Sequence, residues 1–169
     1  VAPRDSYRTA PYIAAARAQG VDLLIASEGR HSLSEMEMPG VQVNLHYMPG
    51  SLQALLSAAQ ARPFRGIIGT DDASSEFAVH ASMVLQLPHN SLLSVHLARR
   101  KDLARSHLAR AGIPVPRHWK IDLTGPLAPQ LAAVHFPCVV KPVALSASRG
   151  VIRADDGAQL EQAIERIAG

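Results

Sequence analysis

The sequence is poor in the residues that mark several classes of protein. A single cysteine, Cys138, excludes an internal disulfide framework and a cysteine-rich zinc site, and makes a reduced, cytoplasmic setting the expectation. Aromatic residues make up only 4% of the chain, so the core must be built from small aliphatic side chains. The longest apolar runs, such as residues 23–26, are as long as a strand and far below the roughly 20 residues of a membrane-spanning helix. We therefore expect no membrane span.

An excess of charge of one sign is also missing. Seventeen Lys and Arg stand against fourteen Asp and Glu, which gives a formal net charge of +3 with histidine neutral. This excess is too small to indicate nucleic-acid binding. The opposing hypothesis of a nucleic-acid module depends on one basic helix, predicted over residues 100–111. A helix-turn-helix would need a second helix soon afterwards, but the prolines of residues 113–116 predict extended chain there. We expect no nucleic-acid partner.

What the sequence does contain is an alternation of strand-like and helix-like segments. Its 169 residues suffice for one domain, or for one domain and part of another. Up to residue 92 the alternation repeats three times, which predicts an α/β fold with a Rossmann-like doubly wound parallel sheet. The predicted strands are 21–27, 41–47 and 65–69, a polar loop covers 28–40, and helices are predicted to begin near Thr9, Ser51 and Ser74. The first six residues resemble the end of a further, truncated strand. Because the chain starts at Val1 and not at methionine, we expect it to be part of a longer protein.

Residues 93–169 are organised differently. After the basic helix we predict a strand at 117–121, a helix at 127–134, strands at 136–143 and 150–154, and a final helix at 158–167. A lysine inside the apolar strand, Lys141, needs an anionic partner if it is buried. The loop that follows has small residues, two hydroxyls and a guanidinium, which can approach phosphate oxygens. The alternative is a lysine on an edge strand that reaches solvent beside an ordinary hairpin loop.

A second lysine, Lys101, lies at the start of the basic helix, which ends in Ala-Gly-Ile-Pro, and Lys141 lies in the run FPCVVKP. In this order and with the small-residue loop after them, these motifs resemble the ATP-grasp superfamily. The resemblance implies a preATP-grasp Rossmann-like domain over residues 1–92. It also implies the first α+β subdomain of an ATP-grasp fold over residues 93–169, which would be incomplete.

The resemblance further implies a function. It implies a ligase that joins a small carboxylate to an amine, or to a similar nucleophile, through an acyl-phosphate formed with ATP. The implied ATP-binding residues are Lys101, Lys141, Ser146, Ser148, Arg149 and Gly150. The Mg²⁺ ligands and the adenine hinge would lie outside this chain, so we assign no metal ligand and no catalytic residue and expect the chain alone to be inactive. A non-catalytic nucleotide-binding or scaffolding domain is the alternative, and a homodimer is left open.

Two positions depart from the superfamily pattern. The loop has one glycine where many members have several, which predicts a stiffer loop. Arg100 stands where many members have a small polar residue, and its role is open.

Other polar side chains have simpler interpretations. The pairs at 71–72 and 155–156 are two aspartates each, and we interpret them as helix caps, with substrate contact as the alternative for the first pair. The resemblance makes Arg4, Arg8 and Arg30, at predicted strand ends, candidates for pairing with the carboxylate substrate. Cys138 is interpreted as a small buried apolar residue and not as a nucleophile.

Overall fold

The computed structural model describes residues 1–4, 6–29 and 40–169, which form two compact units, Val1–His96 and Leu97–Gly169. No helix in these ranges is long and apolar enough to cross a membrane. In the first unit the helices and strands are α1 (Thr9–Ala18), β1 (Ile25–Ser27), β2 (Gly40–Gln42), α2 (Met48–Ala61) and α3 (Asp72–Val84). They are followed by α4 (Leu92–Arg99), α5 (Lys101–Arg110), α6 (Leu127–Leu131), β3 (Cys138–Val140), β4 (Ile152–Ala154) and α7 (Gly157–Ala168).

The first unit contains a small parallel sheet. β1 pairs with β2 in parallel, with Ala26 opposite Val41. Ala2 forms a further parallel bridge with Ser27, and its amide donates to the Ala26 carbonyl at 2.9 Å. All three residues of β1 are buried, as expected for a strand that is covered on both faces. The chain is therefore a mixed α/β protein with parallel pairing in its first unit.

The segment predicted as a strand at 65–69 forms no strand ladder in the described part of the chain. The described backbone hydrogen bonds of this segment and of Thr70, which follows it, run to Val1. The Val1 nitrogen donates to the Ile68 carbonyl at 2.6 Å, and the Val1 carbonyl accepts from the Thr70 amide at 3.0 Å. The strand prediction is wrong here because the segment has hydrogen bonds to a single neighbouring residue.

A small and mainly aliphatic core holds the first unit together. Phe77 of α3 is 1% exposed and packs with residues of β1, α2 and the segment after β2. The buried members of this core are Ala26, Val43, Leu55, Phe77 and Ala81. The burial of such side chains is the main favourable contribution to folding, at about 25 cal/mol per Å² of apolar surface.

One helix start differs from the sequence prediction and another agrees with it. α2 begins at Met48 and not near Ser51, because Pro49 lies in the first turn, where the missing N–H of proline has no helical partner to lose. Ser51 instead accepts from the Asn44 amide at 2.7 Å and donates to the Asn44 carbonyl at 2.8 Å. Thr9 is the buried first residue of α1 and makes no capping hydrogen bond.

Both aspartate pairs provide helix caps, as predicted. The Asp71 carboxylate accepts from the amides of Ala73 and Ser74 at 3.0 and 3.1 Å and forms a capping box at the start of α3. The Asp156 carboxylate accepts from the Gln159 amide at 2.9 Å at the start of α7. These bonds satisfy amides that the first turn of a helix leaves without partners.

The second unit is built on an antiparallel hairpin. β3 pairs with β4 so that Cys138 lies opposite Ala154 and Val140 lies opposite Ile152, and α7 packs against both strands. Leu160 and Ile164 of α7 form the buried core with Ala154. Residues 117–121, predicted as a strand, form no ladder within the described residues.

Candidate functional site

The hairpin loop between β3 and β4 holds most of the residues predicted to bind ATP. Lys141 directly follows the last residue of β3 and is half-buried. Because strand residues alternate between faces, Lys141 continues the face of Val139, which is 53% exposed, and not the face of Cys138 and Val140, which packs on the core. Within the described residues the Lys141 ammonium has no hydrogen-bond or ion-pair partner. It is a cation that can accept an anionic ligand.

The tip of this loop has an unusual backbone. Ala147 and Ser148 have positive φ angles of 55° and 58°, and Gly150 has a φ of 66°. A left-handed conformation costs a non-glycine residue roughly 1–2 kcal/mol, whereas glycine adopts it readily. Glycine is also required at 150 for space, since a Cβ there would lie 2.9 Å from the Cγ of Pro142. The end of the loop at Gly150 therefore packs against its beginning at Pro142.

The side chains of the loop leave polar groups at the surface. Ser146, Ser148 and Arg149 are exposed. The amide and Nε of Arg149 both donate to the Ser146 carbonyl at 3.3 Å. In the described chain neither serine hydroxyl has a hydrogen-bond partner, so both can donate to an incoming oxygen.

Lys101 is brought to the same loop by α5. It is the first residue of that helix, and its amide donates to the Val143 carbonyl at 3.1 Å. Its ammonium donates to the carbonyl of Leu145. The structure thus places Lys101 at the loop that follows Lys141, and Ser146, Ser148, Arg149 and Gly150 belong to that loop.

The sequence interpretation missed Asp102, the next residue of α5. The Arg100 guanidinium donates from Nε to Oδ1 of Asp102 at 3.0 Å and from Nη2 to Oδ2 at 2.7 Å. Lys120 faces the same carboxylate at 3.9 Å. The hydrogen bonds from Arg100 lower the pKa of Asp102 to about 2 and raise the pKa of Arg100. An acidic residue in the first turn of a basic helix is the sequence signal that could have indicated it.

The candidate residues for a carboxylate substrate lie in the first unit. The Arg8 guanidinium donates to the Thr70 carbonyl at 2.5 Å and to the Tyr7 hydroxyl at 3.2 Å. The bond to Tyr7 raises the pKa of Arg8. The Arg4 side chain lies against Gly29, where a Cβ would be 2.8 Å from its Cγ. Arg30 and most of the loop at 28–40 lie outside the described residues. The pairing of these arginines with a substrate stays a prediction.

Cys138 has the environment expected of a structural residue. It is half-buried on the core face of β3, and desolvation raises the pKa of its thiol. Because the thiolate is the nucleophilic form, this shift makes the sulfur less reactive.

A shallow cavity of about 470 Å³ lies elsewhere in the second unit. It is lined by Val115, Pro116, Arg117, His118, Trp119 and His135. None of the six residues predicted to bind ATP lines it. We place the candidate site at the hairpin loop, because the binding of phosphate depends on cations and on hydrogen-bond donors more than on an enclosed apolar volume.

The residues at the loop fit a polyphosphate, and they do not fit a metal ion. Ammonium, guanidinium and hydroxyl groups are donors to phosphate oxygens. In the ranges that the structure describes, no group of three or more His, Cys, Asp or Glu side chains could hold a metal ion. We therefore assign no metal ligand.

Comparison with known proteins bears on the fold. No protein-family model and no curated protein matches the sequence. Among solved structures, the L-amino acid ligase from Bacillus licheniformis matches 99% of this chain with a TM-score of 0.73 and 23% sequence identity. The chain spans 42% of the length of that ligase. This likeness supports an ATP-grasp-like fold for the mixed α/β chain described here.

Proposed function

We propose that this chain carries phosphate-binding residues of an ATP-dependent ligase that joins a carboxylate to an amine. The observation that carries the proposal is the hydrogen bond from the Lys101 ammonium to the Leu145 carbonyl. It brings the cation at the start of α5 to the loop that begins at Lys141. The likeness to the L-amino acid ligase supports the same assignment at the level of the fold.

The chemistry assigned to these residues is electrostatic. ATP presents several negatively charged phosphate oxygens, and charge moves between them as the γ-phosphoryl group is transferred. Lys101, Lys141 and Arg149 are cations, and Ser146 and Ser148 offer hydroxyl donors beside them. Such groups stabilise transferring phosphoryl charge by position alone. No proton transfer is assigned to them.

The proposed reaction has two steps. A carboxylate oxygen attacks the γ-phosphorus of ATP, the bond to the bridging oxygen breaks, and ADP leaves as an acyl-phosphate forms. An amine then attacks the acyl carbon, the bond from that carbon to the phosphate oxygen breaks, and inorganic phosphate leaves while the nitrogen loses a proton to solvent. The Mg²⁺ that helps to neutralise the triphosphate would be held by residues other than those described, and no step is assigned to it here. Because the matched ligase is named for L-amino acids, we propose amino acids as the first carboxylates and amines to test.

Lys141→Met tests the proposal. The change removes a charged donor from the loop, and such a hydrogen bond contributes about 1.5–3 kcal/mol, or about 10–150-fold in affinity. We expect ATP to bind the wild-type chain and the variant to bind it more weakly by that factor in calorimetric titration. AMP, which lacks the phosphates that the loop would bind, should bind the wild type more weakly than ATP does.

Lys120→Met is the matched control. Of the three lysines in the chain, Lys120 is the one outside the proposed site. Its side chain is 63% exposed, and its nitrogen lies 3.9 Å from the nearest Asp102 oxygen, which is long for an ion pair. We expect this variant to bind ATP as the wild type does. Equal affinity of wild type and Lys141→Met, or no ATP binding by the wild-type chain, would contradict the proposal.

A further inference from the structure

The first turn of α5 holds an ion pair that spans Lys101 in sequence. Arg100, the N-cap with an extended backbone, and Asp102 form two parallel hydrogen bonds, at 3.0 and 2.7 Å. The Asp102 side chain is 11% exposed and the Arg100 side chain 31%. Bidentate pairs of this kind fix geometry more tightly than exposed single contacts do.

Lys101 lies between the two partners in sequence and donates to one segment from both its amide and its ammonium. Its amide donates to the Val143 carbonyl and its ammonium to the Leu145 carbonyl. We call this bidentate ion pair between Arg100 and Asp102 the fork. The fork closes a ring that includes the backbone of Lys101, and it limits rotation of the peptide units on both sides of Lys101. Without the fork, the backbone of Lys101 would be free to move. Its ammonium, at the end of a flexible side chain, would then not be held at one place.

The charge of Asp102 matters as well as its bonds. Without Asp102, Arg100 would place an unpaired guanidinium beside Lys101, where it would compete with Lys101 for the same phosphate. The Asp102 carboxylate instead holds the guanidinium of Arg100, with Nη2 of Arg100 2.7 Å from Oδ2. The charge of Arg100 is thus paired with Asp102, whereas the ammonium of Lys101 donates to the loop.

We infer that Arg100 and Asp102 are positioning residues that hold the Lys101 ammonium at the loop of residues 143–150. The inference rests on the proposed function for its role in ATP binding. The positioning of Lys101 itself can be measured without any nucleotide.

The chain contains three lysines, at positions 101, 120 and 141, so ¹⁵N-lysine labelling gives few ammonium signals. Asp102→Asn and Arg100→Gln break the fork from opposite sides. In the absence of nucleotide, we expect either variant to speed solvent exchange of the Lys101 ammonium about fivefold, which corresponds to about 1 kcal/mol of lost local stability. The double variant should exchange no faster than either single variant, since both remove the same pair.

Asp122→Asn is the matched control, because Asp122 is exposed and the described hydrogen bonds of its carboxylate run to Thr124, within its own turn. Its Lys101 exchange should equal that of the wild type. The amide signals of α7 report whether each variant is folded, and Arg100→Gln decides the question if Asp102→Asn unfolds. Unchanged exchange in the folded fork variants would overturn the inference.

ATP titration of the same proteins separates this inference from the proposed function. We expect ATP affinity to fall about fivefold in both fork variants and to stay unchanged in Asp122→Asn. Equal ATP affinity in wild type and fork variants would overturn the positioning role and leave the proposed function standing. A wild-type chain that fails to bind ATP would contradict the proposed function, and the exchange rates would still decide whether the fork holds Lys101.

Discussion

Gly150 is the position where a single added carbon should disturb the loop most. Its φ of 66° lies in the left-handed region, and a Cβ would lie 2.9 and 3.0 Å from the Cγ and Cδ of Pro142. Both atoms belong to the pyrrolidine ring of Pro142, which lies two residues after the end of β3. Gly150→Ala therefore meets two separate costs, one in the backbone and one in packing.

The two costs can be estimated separately. The left-handed conformation costs an alanine roughly 1–2 kcal/mol. Forcing a methyl group into occupied space typically adds about 1–3 kcal/mol. We expect Gly150→Ala to lower the free energy of unfolding of the second unit by about 2–5 kcal/mol.

Two other glycines of the second unit provide matched controls. Gly112 has a φ of 74° with nothing within 4 Å of a Cβ, so Gly112→Ala isolates the backbone cost. Gly157 has neither a positive φ nor a close neighbour, so Gly157→Ala should not destabilise the unit. Trp119 is the only tryptophan and lies in this unit, so urea unfolding followed by its fluorescence reports the second unit. If Gly150→Ala unfolds at the same urea concentration as Gly112→Ala, the contact with Pro142 is not as described and the reasoning fails.

Three further predictions concern the caps, the fork and the cysteine. Asp71→Ala and Asp156→Ala should each cost about 1 kcal/mol of unfolding free energy, and of the two we expect Asp156→Ala to move the Trp119 transition; an unmoved transition in Asp156→Ala would contradict its role as a cap. Because the pKa of Asp102 is lowered from 3.8 to about 2, its contribution to stability is complete above pH 4 or so and is lost as the pH falls toward 2. Acid unfolding of Asp102→Asn should lack that part of the pH dependence, and an identical acid profile would refute it. Burial raises the pKa of Cys138, so a thiol reagent at about pH 8 should react more slowly with the folded chain than with the chain in urea; equal rates would show an accessible thiol.

The helices of the second unit can be predicted from the sequence, because their ends carry local signals. The prediction of 100–111 corresponds to α5 at Lys101–Arg110, and Gly112 follows as the left-handed stop. The prediction of 158–167 corresponds to α7 at Gly157–Ala168, with Asp156 as its cap. Periodicity and caps lie within each segment, so no tertiary contact has to be known.

Strands are less predictable, because a strand requires a partner. Residues 65–69 have the composition of a buried strand, but their described hydrogen bonds run to Val1. Residues 117–121 likewise have no strand partner in the described chain. The partner of a strand depends on tertiary contacts that composition does not specify.

The candidate site shows the same division. The chemistry of Lys141 and of the loop serines is visible in the sequence, and their role in ATP binding stays a prediction. The contact from Lys101 to Leu145 joins residues 44 positions apart and uses a backbone carbonyl, which every residue has. No side-chain signal could have indicated it. Asp102 could have been noted as the acidic residue of a basic first turn, but its bidentate geometry could not.

The most direct test of the central claim is an ATP titration of the ¹⁵N-labelled chain followed through its amide signals. The account predicts saturable shifts at Lys101 and at residues 143–150, no comparable shifts in α3, and their loss in Lys141→Met. ATP-dependent shifts that leave residues 143–150 unmoved, or that persist unchanged in Lys141→Met, would contradict it.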